Sequence, residues 1–219
     1  MKVKFFTDFK KDLQIIRYGY PQIRKVMGDD FIKLLNLYYP ECKNLSQPQI
    51  VKFFKENKPL VMRRVEKSSK KLINRWRSIE KKYFEEINKI SSWQKKEYAC
   101  HLSSSYVCGG GYSYPRAIIV FSLSKHINPL FTIAHELGHL HVVSDLVKLK
   151  IKIPKKKQQE FHEIAANLLL SKISLDKLKF CPVFPNKRIE TDFEKIRKKI
   201  EHRDLNWNQT LLFLRDNLK

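Results

Sequence analysis

The sequence predicts an α+β fold: a small β-sheet packed against a long backing helix, a helix carrying an H-E-x-x-H pattern and a glutamate helix, with helical extensions at both ends. Three observations predict it. Between residues 61 and 90, Met62, Val65, Leu72, Trp76, Ile79, Tyr83, Ile87 and Ile90 fall at steps of three and four, with Ser69 filling the gap in the series. That is the period of one long amphipathic helix. Residues 97–107 alternate, with Tyr98, Cys100, Leu102, Ser104 and Tyr106 on one side, and residues 117–123 form a β-branched apolar run, so both read as strands. Two further helical stretches follow, one opening at Asn128-Pro129 and one spanning residues 160–170.

In chain order, residues 1–60 read as a helical, loop-rich extension, 61–175 as the core, and 176–219 as a helical segment packed on that core. Ser46-Gln47-Pro48 opens a short helix to about Lys55. Gly28 and its flanks do not make a helix-turn-helix, so a helical cap on the core is the expectation. The run from Cys108 through Gly109, Gly110 and Gly111 to Pro115 reads as a turn joining the two strands into a hairpin-like unit at the rim of a cleft. It lacks the Gly and Lys spacing of a phosphate loop. Asn128 and Pro129 supply an N-cap and a first-position proline, after which Leu130, Ile133, Ala134, Leu137 and Leu140 give the helix apolar surface. Residues 147–153 alternate and Pro154 ends the alternation; this connector, with Lys155, Lys156 and Lys157, borders the cleft and is a candidate for steering an acidic substrate segment. Residues 181–185 read as a rigid linker, and Thr191 with Glu194 has capping-box spacing for a helix to about His202. A last helix, from about Asn206 to Leu218, is expected to bury Leu211, Leu212, Leu214 and Leu218.

The chemistry concentrates in His135-Glu136-Leu137-Gly138-His139. Residues four apart share a helix face, so His135 and His139 can aim their imidazoles at a single metal ion. Glu136 lies about 100° around the helix, within reach of a metal-activated water as general base without being a ligand. At this chain's own His and Glu frequencies the pattern would arise by chance roughly one time in a hundred. A third protein ligand is required. Asp145 has the right spacing for an H-E-x-x-H-x-x-G-x-x-H/D site, but the turn glycine is replaced by Val142, and no methionine follows Met62 to make a methionine turn. Glu163 is the better candidate: it and Asn167 are four apart on an apolar-rich helical stretch, and it would complete a His, His, Glu set. Asn167 could then accept the second ring N–H of a ligating histidine.

His135-Glu136-Leu137-Gly138-His139 followed by Glu163-x-x-Ala166-Asn167 resembles the ImmA/IrrE-type metallopeptidases and, more broadly, the small gluzincins, over roughly residues 97–171. The resemblance implies a zinc metalloendopeptidase with His135, His139 and Glu163 as ligands, Glu136 as base and Asn167 in support. It further implies a peptide substrate bound along a strand edge next to the metal helix, with a regulatory protein as one substrate class. The chain departs from the family after the asparagine, where Leu168-Leu169-Leu170 replaces the usual Phe-Ala and no Met-Pro follows. Tyr112, Tyr114, His141, His162 and His202 are unranked candidates for the donor that meets the developing oxyanion.

The net charge of +22 is spread along the whole chain. Such a charge favours nucleic acid or an acidic protein as a partner, although lysine-rich composition also fits an AT-rich coding sequence. A second reading therefore stands beside the first, a basic nucleic-acid-associated module with a structural or vestigial zinc site; retention of Glu136 argues against it. No apolar run approaches a membrane span and the N-terminus is not a signal peptide, so a cytoplasmic location is expected. Cys42, Cys100, Cys108 and Cys181 lack C-x-x-C spacing and are expected as free thiols, with Cys100 and Cys108 able to face one another across the hairpin. The sequence leaves oligomeric state open.

Overall fold

The computed structural model describes residues 1–93, 96–107, 109–123, 128–173 and 187–218, and Val26 by its backbone alone. The linker expected at 181–185 and the thiols of Cys108 and Cys181 lie outside these residues. The fold is α+β: helices surround one four-stranded mixed sheet made of β1 (Lys2–Phe6), β2 (Glu97–Ser103), β3 (Gly110–Ser113) and β4 (Ala117–Phe121), in the order β1-β2-β4-β3. β2 runs parallel to both β1 and β4, and β3 is antiparallel to β4.

Two features of this sheet correct the sequence reading. Residues 97–107 and 117–123 are not the two arms of a hairpin, because the glycine run between them is itself a strand. Gly110 pairs with Val120 and Ser113 with Ala117, so the hairpin is β3–β4 and the intervening reversal brings β4 back parallel to β2. The N-terminus contributes β1, where helix and loop were expected. Its alternation of Lys2, Val3, Lys4 and Phe5 suits an edge strand with one buried face: Val3 is fully buried and the lysines face outward.

The long helix α5 (Lys58–Ile90), preceded by α1 (Phe9–Gln14), α2 (Tyr20–Met27), α3 (Asp29–Tyr38) and α4 (Gln47–Glu56), backs the sheet as its apolar period requires. Trp76, Ile79, Tyr83 and Ile87 share one core cluster with Val3, Tyr98, Cys100, Leu102, Ile118 and Val120, the alternate residues that the pleat turns to one face. Glu80 and Arg77 dock β1 onto this helix. Glu80 Oε1 accepts from Val3 N at 2.6 Å and Trp76 Nε1 at 3.0 Å, Arg77 Nη2 donates to the Val3 carbonyl at 2.8 Å, and Arg77 Nη1 pairs with Glu80. α4 opens after Ser46, as the sequence indicates, with Ser46 N donating to Gln49 Oε1 at 2.8 Å.

A second apolar cluster joins α2, α3 and α4 through Tyr20, Phe31, Leu35, Tyr39 and Phe54, and takes in Val107 beyond β2 and Phe121 at the end of β4. Buried Asp12 ties this helical layer to the end of β2. Its carboxylate accepts from Ser103 Oγ at 2.6 Å and Ser104 N at 3.0 Å, and from the Ser104 hydroxyl. Tyr20 and Tyr39 donate to the carbonyls of Ser105 and Ser104.

The helix α6 (Pro129–Lys148) lies between the sheet, α5 and the helix α7 (Gln158–Ser171), and is buried on nearly every side. α8 (Lys187–Glu201) and α9 (Trp207–Asn217) close the core through Phe193, Ile196, Leu211 and Leu214. α8 begins before the expected cap. Thr191 sits inside it, its hydroxyl bonded to the Lys187 carbonyl at 2.9 Å, so the capping-box spacing there is coincidental. Asn206 does cap α9, reciprocally with Gln209, whereas Leu212 is 40% exposed rather than buried. Cys42 and Cys100 are free and buried. Among the described residues no helix is long and apolar enough to cross a membrane.

Candidate metal centre

α6 starts where Asn128 Oδ1 accepts from Leu130 N at 3.2 Å, and it runs unbroken through Val142 to Lys148. His135 and His139 therefore stand one turn apart on one face. Across from them, where α6 passes α7 near Gly138 and Ala166, α7 presents Glu163. His135 Nε2 lies 3.0 Å from His139 Nε2 and 3.2 Å from Glu163 Oε2, and His139 Nε2 lies 3.7 Å from Glu163 Oε1. One donor atom from each of the three residues falls within 4.8 Å of the others.

These donors fit a metal ion. A four-coordinate ion with metal–nitrogen distances of about 2.0–2.1 Å has donor-to-donor edges of about 3.3 Å, close to the spacings found. Burial, with repulsion from His135 and His162, holds the His139 pKa well below its ordinary value, so this imidazole offers a lone pair. Burial lowers His135 too, but the Glu163 hydrogen bond and the charges of Glu136 and Glu163 outweigh it and leave its pKa raised. An N, N, O trio drawn this close, with both imidazoles buried and the carboxylate half-buried, accepts a cation readily. Neither imidazole Nδ1 has a hydrogen-bond partner among the described residues. The rings are held by stacking instead: His139 on Tyr112, with centroids 4.5 Å apart and planes at 17°, and His135 on Phe131 at 6.1 Å. Asn167, expected to accept from one of them, donates Nδ2 to the Glu163 carbonyl at 2.9 Å and braces the turn that carries the third donor.

Glu136 stands beside the trio without joining it, 6% exposed. Burial pushes its carboxyl up to about 7, and the nearby Glu163 charge pushes the same way. Its neighbour is the backbone of β3: a Cβ on Gly110 would lie 2.6 Å from Glu136 Oε1 and 2.5 Å from Thr132 Cγ2. Only glycine permits that approach. The sequence reading missed this role for Gly110, although three glycines preceding an apolar strand were its visible sign.

The five candidate donors separate by place. Tyr112, on β3, and His162, on α7, come to the metal cluster, and Tyr112 Oη lies 3.0 Å from His162 Nδ1. Burial raises the Tyr112 phenol to about 12 and lowers His162, so both stay neutral near pH 7. His141 points away: it is fully buried between Ser91 Oγ, at 3.1 Å, and Tyr98 Oη, at 3.3 Å, and burial lowers its pKa to about 3. Tyr114 is 42% exposed against Trp93, and His202 lies exposed in the turn after α8. Asp145 is not near the cluster either, because α6 continues through Val142 instead of turning. Its buried carboxylate accepts from Trp207 Nε1 at 2.8 Å and Ser92 Oγ at 3.3 Å, tying α9 and the segment after α5 to α6.

Compared with protein-family models, curated proteins and solved structures, the chain gives no match.

Proposed function

We propose that this chain is a zinc-dependent metallopeptidase, of the ImmA/IrrE type that its motifs resemble, in which His135, His139 and Glu163 hold the metal. The observation that carries the reading is the convergence of those three donors from α6 and α7, with Glu136 adjacent and left out of the set. A purely structural site needs no such carboxylate. Bound zinc supplies Lewis acidity, polarising the peptide carbonyl and bringing the pKa of water down to about 7.

The protein's own groups do the rest. Glu136 accepts the proton of the attacking water at a carboxylate oxygen and delivers it to the departing amine nitrogen, which cannot leave as an anion. Tyr112 Oη, beside His162 Nδ1, is placed to donate to the substrate carbonyl oxygen as charge builds there. β3 is the last strand of the sheet order, so its outer edge can pair with an extended peptide, and Gly110 lets β3 itself lie close to Glu136. Limited cleavage of a regulatory protein is the substrate class we infer.

The test is incubation of the zinc-loaded chain with a proteome-derived peptide mixture, new termini being read by mass spectrometry. New termini that vanish with a chelator and return with zinc support the proposal; a fully loaded chain that cuts nothing contradicts it. Tyr112→Phe is expected to lower kcat by about 10²-fold with KM little changed, since the phenol acts mainly on developing charge. An equal rise in KM with kcat intact would assign Tyr112 to binding alone.

A further inference from the structure

The face of α6 that carries the metal donors does not end at His139. Continuing by fours and threes it bears Val143, Leu146, Val147 and, just past the helix end, Lys150. Together with Ile151 and Ile153 these residues line a groove of about 660 Å³ that is open to solvent, and His162 lines it as well. Since His162 also touches Tyr112 at the metal cluster, one imidazole forms a wall of both. The groove is thus a continuation of the α6–α7 seam, and Val147, 63% exposed, lies on it with no cover.

Its far end is positive. Lys150 and Lys152 line it, are exposed, and have no acidic partner among the described residues. Lys150 is held there at a conformational cost. The helix closes with Ile151 N bonded to the Leu146 carbonyl at 2.9 Å and Lys150 N to the Val147 carbonyl at 3.2 Å, a geometry that puts Lys150 at φ +54° where glycine or asparagine is favoured. Of the three lysines that the sequence suggested for steering, Lys157 is engaged with the Leu218 carbonyl and none lines the groove, whereas Lys150 and Lys152 do.

We propose that this groove is a substrate subsite, taking an extended acidic peptide with one large apolar side chain next to the metal cluster and carboxylates beyond it at Lys150 and Lys152. The inference rests on the peptidase reading. From His139 to the helix end at Lys148 is about 14 Å, room for about four extended residues before Lys150. The apolar wall accounts for the large side chain, and the unpaired ammonium groups for the acids.

Binding is measured apart from cleavage, by fluorescence anisotropy with the full chain carrying Glu136→Gln. Three labelled peptides are compared: one with a leucine followed by two glutamates, a twin with serine for leucine, and a twin with lysines for the glutamates. The first is expected to bind at least about tenfold tighter than either twin. Lys150→Glu with Lys152→Glu is expected to reverse the preference between the acidic and basic peptides. Lys150→Gly relieves the positive φ, so it is expected to keep or raise Tm while weakening the acidic peptide alone, which guards against a misfolded charge reversal. Equal affinity for all three peptides, or a preference that neither variant moves, would overturn the proposal. Selective binding with no cleavage by the zinc-loaded wild type would retain the groove and reject the peptidase; cleavage without selectivity would do the opposite.

Discussion

Glu136→Gln is expected to reduce peptide hydrolysis by about 10²–10⁴-fold while leaving the metal content of the chain unchanged. The two halves of that expectation belong together. Glu136 is buried against Gly110 and Thr132, and an amide of the same shape fills the same space, so the fold and the three donors are undisturbed. What the amide cannot do is accept a proton from water. Steady-state cleavage of a peptide substrate, with zinc measured on the same sample, checks both halves. A variant that cleaves as well as wild type would remove Glu136 from the mechanism, and one that loses its metal would make it part of the metal's support.

Asp12→Ala is expected to destabilise the fold by about 3–5 kcal/mol, a large part of the 5–15 kcal/mol available to a typical domain. Asp12 is 2% exposed and accepts from the hydroxyls of Ser103 and Ser104 and from the Ser104 main-chain N–H. Removing it strands several buried donors at once, at about 1–3 kcal/mol for each left unsatisfied. The affected residues join β2 to the α1–α4 layer, so urea unfolding should show a lower midpoint. An unchanged midpoint would mean that the serine cluster finds other partners and that Asp12 does not clamp the layer.

Much of the candidate site was legible because its parts are local. His135, Glu136 and His139 need only the period of one helix, and Glu163 needs only a second helix with an apolar face. Asp145 could be set aside on two counts, since β-branched Val142 resists the turn that would aim it at the cluster and no methionine follows Met62. The sorting of Tyr112 and His162 from Tyr114, His141 and His202 was not legible. It depends on the direction of β3 and on the packing of α7 across α6, both long-range facts.

The misread elements have physical reasons too. Gly110–Ser113 opens with two glycines and has no β-branched residue, so Tyr112 alone does not mark it as a strand, yet it pairs with β4, and glycine at 110 lets it lie against Glu136. The N-terminal strand has the alternation of an edge strand, but two lysines within five residues read as solvated chain. In residues 147–153 a strict alternation was overridden, since the helix continues to Lys148 and then closes on itself at Lys150 and Ile151. Thr191 shows the converse: a capping pattern is only a pattern until the helix starts there.

The most direct test of the central claim is metal content by elemental mass spectrometry after zinc reconstitution, for wild type, Glu163→Ala and Asp145→Asn side by side. The donors on α6 and α7 predict about one zinc per chain, kept in Asp145→Asn, whose site is an anchor for Trp207, and lost in Glu163→Ala. A wild type that takes up no zinc, or a Glu163→Ala protein that holds it as tightly as wild type, would contradict the assignment.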